Sequence, residues 1–107
     1  MTFYVKQNDT SPSMLATLKN ADGNAVDISG GTVRFHLRQV GADSALVDSA
    51  AVIVDGVGGI VRYDWLASDT VSVGSYQAEF EVTYSSGAIE TFPNDGYISV
   101  KITGEIA

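Results

Sequence analysis

Cysteine is absent from this sequence, and with it go disulfide cross-links, thiolate nucleophiles and cysteine-based metal sites. Such a chain is indifferent to redox compartment and depends on burial and sheet hydrogen bonding for its stability. Basic residues are scarce: 6 Lys and Arg stand against 13 Asp and Glu, for a net charge of −7. That sign repels phosphate backbones and anionic bilayers, so neither nucleic acid nor a membrane is an expected partner, and it favours solubility at high local concentration. No stretch approaches the roughly 20 consecutive apolar residues of a membrane-spanning helix. The N-terminus enters a strand-like run, Thr2 to Lys6, with no basic segment leading into an apolar one as a secretory leader requires. The expected place of synthesis is therefore the cytoplasm. Helical periodicity is nearly missing, no period of 20–50 residues repeats, and no low-complexity tract occurs.

What is present is alternation. Hydrophobic residues make up 45% and charged residues 18% of 107 positions, with 11 glycines and 2 prolines, the composition of a folded globule with room for one core. The expectation is a single domain over residues 1–107. From Gly74 to Tyr84, Tyr76, Ala78, Phe80, Val82 and Tyr84 share one strand face while Gln77, Glu79, Glu81 and Thr83 share the other. Thr32 to Arg38 repeats the pattern, with Val33, Phe35 and Leu37 inward, and Ile60 to Trp65 repeats it with Val61, Tyr63 and Trp65 inward. Weaker runs cover Phe3–Lys6, Met14–Lys19, Ala45–Asp48, Ala51–Asp55, Ile89–Phe92 and Tyr97–Ile102, and one helical turn fits Trp65–Asp69. Gly- and Asn-rich turns separate them, including Asn20–Asn24, Ser29–Gly31, Asp55–Gly59, Ser85–Gly87 and Pro93–Gly96. Seven to nine short strands without a crossover helix predict an all-β, antiparallel β-sandwich of immunoglobulin-like type, with a small barrel as the alternative.

Chemistry is hard to assemble from these residues. His36 is the single histidine, lies between Arg34 and Arg38 on a polar strand face, and is accompanied by no Gly-x-Ser-x-Gly elbow or expected orienting carboxylate. Glu79 and Glu81 stand about 6.6–6.8 Å apart along one strand, a spacing used by inverting glycosidases, but one sheet face forms no sugar-sized cleft. A charge ladder is the better reading, with Arg34 and Arg38 of one strand facing Glu79 and Glu81 of its neighbour. Asn20, Asp22 and Asn24 alternate like calcium ligands, yet the sixth and twelfth positions of such a loop are Ala25 and Gly31 rather than glycine and glutamate. Gly56–Gly59 lacks the lysine and following helix of a phosphate loop. The expectation is a non-enzyme with no cofactor and no metal. Phe92-Pro93-Asn94-Asp95-Gly96-Tyr97 places two aromatics around a turn, either a packed corner or an exposed contact loop.

In order along the chain, several segments resemble a phage domain family. Phe3–Pro12, Asp22-Gly23, Val26–Gly30, Thr32–Arg38, Gly59–Trp65, Gly74–Phe80 and Phe92–Ile98 together look like the N-terminal domain of phage baseplate upper proteins, with near-complete coverage. The resemblance implies an immunoglobulin-like sandwich that docks within a virion, and a non-enzymatic structural protein acting as a baseplate or tail-tip adaptor. In that family a fibre-forming region follows the domain, whereas this sequence ends five residues after Ile102. Capsid decoration or a head–tail junction role is the alternative, and a non-viral carbohydrate- or protein-binding module the second. The implied partners are other virion structural proteins. The protein is expected to be monomeric alone, present in several copies on the particle, and made in the host bacterial cytoplasm. The expected contact residues are Asn8, Asp9 and Thr10 in one turn and Phe92, Pro93, Asn94, Asp95 and Tyr97 in the other, with the first strand as an open sheet edge.

Overall fold

The computed structural model describes residues 2–106. Nine strands form in chain order: β1 (Thr2–Lys6), β2 (Met14–Thr17), β3 (Thr32–Gln39), β4 (Val47–Ala50), β5 (Val52–Asp55), β6 (Ile60–Tyr63), β7 (Gly74–Thr83), β8 (Ile89–Phe92) and β9 (Ile98–Thr103). A short 3-10 turn, Ala67–Thr70, sits between β6 and β7. The strands divide into a six-stranded sheet ordered β1-β9-β7-β3-β4, with β8 also on β7, and a three-stranded sheet ordered β2-β6-β5.

The long central pair β3 and β7 follows directly from the alternation in the sequence. Val33, Phe35 and Leu37 pair across the ladder with Val82, Phe80 and Ala78, and all six are buried. The small sheet closes the other side of the core. Phe35 of β3 stacks on Tyr63 of β6 with ring centroids 4.2 Å apart, and Trp65 meets Phe35 edge-on at 5.6 Å. Aromatic pairs at these distances add to the stabilisation that their buried area already provides. Met14, Leu18, Ile28, Val61, Val100 and Ile102 fill the remaining space between the layers.

Two connections set the topology. Ala50, Ala51 and Val52 carry one strand from the large sheet into the small one: Ala51 N–H donates to Val33 O at 2.9 Å, and Val52 already pairs with Arg62. On the far edge of β7, β9 covers Gly74–Ala78 and β8 covers Phe80–Thr83, so β8 and β9 lie end to end along one neighbour. Residues 93–97 form an excursion between them, opposite Glu79.

One feature of the expected sheet needs correction. The pairing of β1 with β9 is parallel, in register from Thr2↔Ser99 to Lys6↔Thr103, so the architecture is mixed and not purely antiparallel. Only a short connection forces neighbours to run antiparallel, and these two strands are separated by almost the whole chain. The weaker strand runs also moved: the expected Ala45–Asp48 is Val47–Ala50, and the expected helical turn starts at Ala67. The Asp69 carboxylate sets that start by accepting from Leu66 N–H at 2.9 Å and from Tyr63 O–H.

Candidate docking site

The outer face of the six-stranded sheet collects the polar half of every alternating strand. Four of the six basic residues, Lys6, Arg34, Arg38 and Lys101, occupy outward positions on β1, β3 and β9. Glu79 and Glu81 project from β7 and Asp48 from β4. The strands are neighbours as the charge ladder requires, but the register sets only Arg34 opposite a glutamate, Glu81, and even there the side chains choose otherwise. Arg34 Nε donates to Asp48 Oδ1 at 2.7 Å and Arg34 Nη2 to Asp48 O at 2.7 Å, a forked grip on the edge strand. Arg38 Nε donates to Gln77 Oε1 at 3.0 Å, since Gln77 and not a glutamate is its cross-strand partner.

Glu79 instead faces His36. The imidazole lies between two carboxylates, with Nδ1 3.0 Å from Glu79 Oε2 and Nε2 3.3 Å from Asp48 Oδ1. The expectation that no carboxylate orients this histidine is thus overturned: the β3–β7 register sets Glu79 directly opposite it, and β4 brings Asp48 in from outside that pair, neither of which alternation along β3 reveals. The hydrogen bond from Arg34 holds the Asp48 carboxyl below the usual carboxylate range, and His36 adds to that. A shallow depression of about 300 Å³ opens over this network, lined among others by Arg38, Asp43, Gln77 and Tyr97. Among the described residues no group of three or more His, Asp or Glu side chains is arranged to hold a metal ion.

The two expected contact turns are separated. Asn8, Asp9 and Thr10 follow β1 at the end of the sheet where β9 finishes, and all three are exposed. This turn is pinned: Asn8 N–H donates to Thr70 O at 2.9 Å, Asn8 Nδ2 to Glu105 Oε1 at 3.0 Å, and Thr70 Oγ1 to Asp9 O at 2.9 Å. Residues 93–97 precede β9, so the length of that strand, roughly 20 Å at the usual rise, lies between the two turns. They share no rim. Phe92 must be corrected as a contact residue, because it is 2% exposed and packs into the core opposite Phe80. The phase of β8 decides this, and an aromatic beside a proline conceals it in the sequence. Asn94, Asp95 and Tyr97 are exposed and Pro93 is half-buried. Asn94 Nδ2 donates to Thr91 O at 2.9 Å and Glu90 Oε2 at 3.1 Å, which folds the loop back on β8. Tyr97 receives the Arg38 guanidinium over its ring, 4.9 Å from the centroid.

The Asn20–Asn24 and Asp55–Gly59 loops are closed on themselves. Asn20 Oδ1 accepts from the N–H groups of Asp22 and Asn24 at 3.0 and 3.1 Å, and Asp55 Oδ1 accepts from Gly58 N–H at 3.1 Å. These are side-chain-stabilised turns.

The sequence matches the family of BppU N-terminal domains over residues 2–93, while β9 continues the large sheet beyond the matched span. Among solved structures, the N-terminal domain of ORF48 of phage TP901-1 is similar to this chain with a TM-score of 0.63 and 16% identity, covering 98% of this chain and 85% of that one. CopC from Methylosinus trichosporium OB3b is similar with a TM-score of 0.51 and 17% identity, covering 99% and 87% respectively. Identities this low show a shared fold and nothing further. No curated protein sequence matches. With most of its length inside the family match, the chain belongs to the BppU N-terminal domain family, the non-enzymatic structural domains of phage baseplate upper proteins.

Proposed function

We propose that residues 1–107 act as one docking unit of a tailed-phage particle, an adaptor at the baseplate or tail tip that is made in the host cytoplasm and assembled with other virion proteins. The family match over residues 2–93 carries this reading. The surface supports it: Arg34 and Arg38 are held by neighbours on the sheet face, and the histidine that could have served catalysis is tied between two carboxylates. In fold terms we place the two sheets with the immunoglobulin-like sandwiches. Support comes from the strand count and from the β4–β5 segment, which passes between sheets as strands do in such folds. The exposed turns Asn8, Asp9, Thr10 and Pro93, Asn94, Asp95, Tyr97 are the proposed contact residues, on separate parts of the sheet and therefore suited to different neighbours.

Mass spectrometry of gradient-purified particles tests the proposal. The chain is expected among the structural proteins at a fixed ratio to the tail components. Its absence from intact particles, together with abundance in the lysate, contradicts the reading.

A further inference from the structure

The first strand offers more than an unpaired edge. Gln7 N–H donates to Thr103 O at 2.7 Å, which fixes the direction of backbone groups along β1. Groups of alternate residues point to opposite sides of a strand, so Phe3 and Val5 complete the ladder to β9, and Thr2, Tyr4 and Lys6 direct their amides away from the sheet. β1 is the terminal strand of its sheet, and its register with β9 is unbroken over five residues. The edge strand β5, by contrast, is interrupted by a register shift between Ile53 and Asp55, a distortion that discourages further pairing.

The side chains around this edge give its partner a charge. Tyr4 is 61% exposed and sits opposite Lys101 in the register, with Lys6 two residues on along the same face. Among the described residues neither lysine forms an ion pair. Lys6 Nζ reaches only the carbonyl of Gly104, at 3.3 Å, and Glu105, in the same recess, accepts from Asn8. Among the described residues, then, Lys6 on the edge strand and Lys101 one strand in, on β9, are cations without a salt-bridge partner, and with the backbone edge of β1 they form a set suited to an anionic strand.

We propose that β1 is extended by an acidic, extended segment of a neighbouring virion protein, which pairs with the outward amides of Tyr4 and Lys6 and places carboxylates against Lys6 and Lys101. This is strand addition, in which main-chain hydrogen bonds supply affinity and flanking side chains supply specificity. It rests on the docking reading above and names the surface and the chemistry of the partner.

The test is incorporation into gradient-purified particles of four forms of the chain: unmodified, Tyr4→Pro, Lys6→Glu with Lys101→Glu, and Lys19→Glu as a control of like charge away from this edge. Proline at position 4 removes an outward N–H, which an edge strand tolerates, together with the exposed tyrosine ring. Melting temperatures of the purified forms report folding. Tyr4→Pro and the double charge reversal are each expected to lower incorporation about tenfold or more, with Lys19→Glu near the unmodified level. Should Tyr4→Pro not fold, the charge reversal, which touches two exposed side chains, decides. Incorporation of the charge-reversed form at the unmodified level overturns the proposal, as does equal loss with Lys19→Glu. A folded Tyr4→Pro that incorporates normally overturns the strand-pairing geometry. Absence of the unmodified chain from particles overturns the docking reading itself, and the proposal with it.

Discussion

Phe35 links the two layers of the molecule through a single ring. It stacks on Tyr63, meets Trp65 edge-on and tilts against Phe80 at 5.2 Å, with no exposure to solvent. Phe35→Ala is expected to cost about 3–5 kcal/mol in denaturant unfolding, the range for emptying a fully packed aromatic site. On the outer face the residues behave differently, because each pair stays in contact with water. A double-mutant cycle on Arg34 and Asp48 is expected to show a coupling that disappears in 1 M salt, whereas Arg34 and Glu81 should be additive. Coupling to Glu81 of equal size would mean that β4 does not hold the Arg34 side chain. The sequence identified the buried residues of β3 and β7, since alternation alone specifies them. It did not identify the contacts of Arg34 or His36, because alternation fixes neither the β3–β7 register that sets His36 opposite Glu79 nor the strand that brings in Asp48.

Elements add constraints that no single residue carries. Gly59 closes the turn between β5 and β6 at φ +67, and a Cβ there would meet Val26 O at 2.6 Å and Leu18 O at 3.0 Å. Those carbonyls belong to the chain between β2 and β3, where Leu18 N–H also donates to Gly59 O at 2.8 Å. Gly59→Ala is therefore expected to destabilise by well over about 1 kcal/mol, while Gly23→Ala, with nothing within 4 Å of its Cβ, bears only the cost of its positive φ. Equal melting temperatures for the Gly59→Ala variant and the unmodified chain would contradict this packing. The turn itself was legible from Asp55 to Gly59. The passage of one strand between sheets at Ala51 was not, because Ala45–Asp55 reads as two ordinary half-buried runs. The parallel β1–β9 pair was equally hidden, as period-two alternation is the same for either strand direction.

At the scale of the whole molecule, pH links the core to the surface. Burial, with a hydrogen bond to Glu90 adding to it, pushes the Tyr84 hydroxyl from 10.0 up to about 12, and burial raises Tyr63 and Tyr76 as well. A group whose folded pKa is raised contributes stability below its unfolded value and loses it as pH climbs towards the folded one. The melting temperature should therefore decline between about pH 10 and 12, and Tyr84→Phe should lessen the decline. Asp27, Asp48 and Asp64 are lowered by hydrogen bonds from Ser29, Arg34 and Ser13 respectively, so their contribution is present above the unfolded value of 3.8 and lost as pH falls below it. The net charge of −7 leaves the large-sheet face, with four of the six basic residues, as the least acidic surface of an acidic protein. Under the strand-addition proposal, this is the face turned towards the anionic neighbour. A density map of the intact particle by cryo-electron microscopy tests this account most directly. The account places the two-sheet domain at the baseplate or tail tip, its β1 edge continued by a strand from an adjoining protein. Density for the domain on the capsid alone, or its absence from the particle, would contradict it.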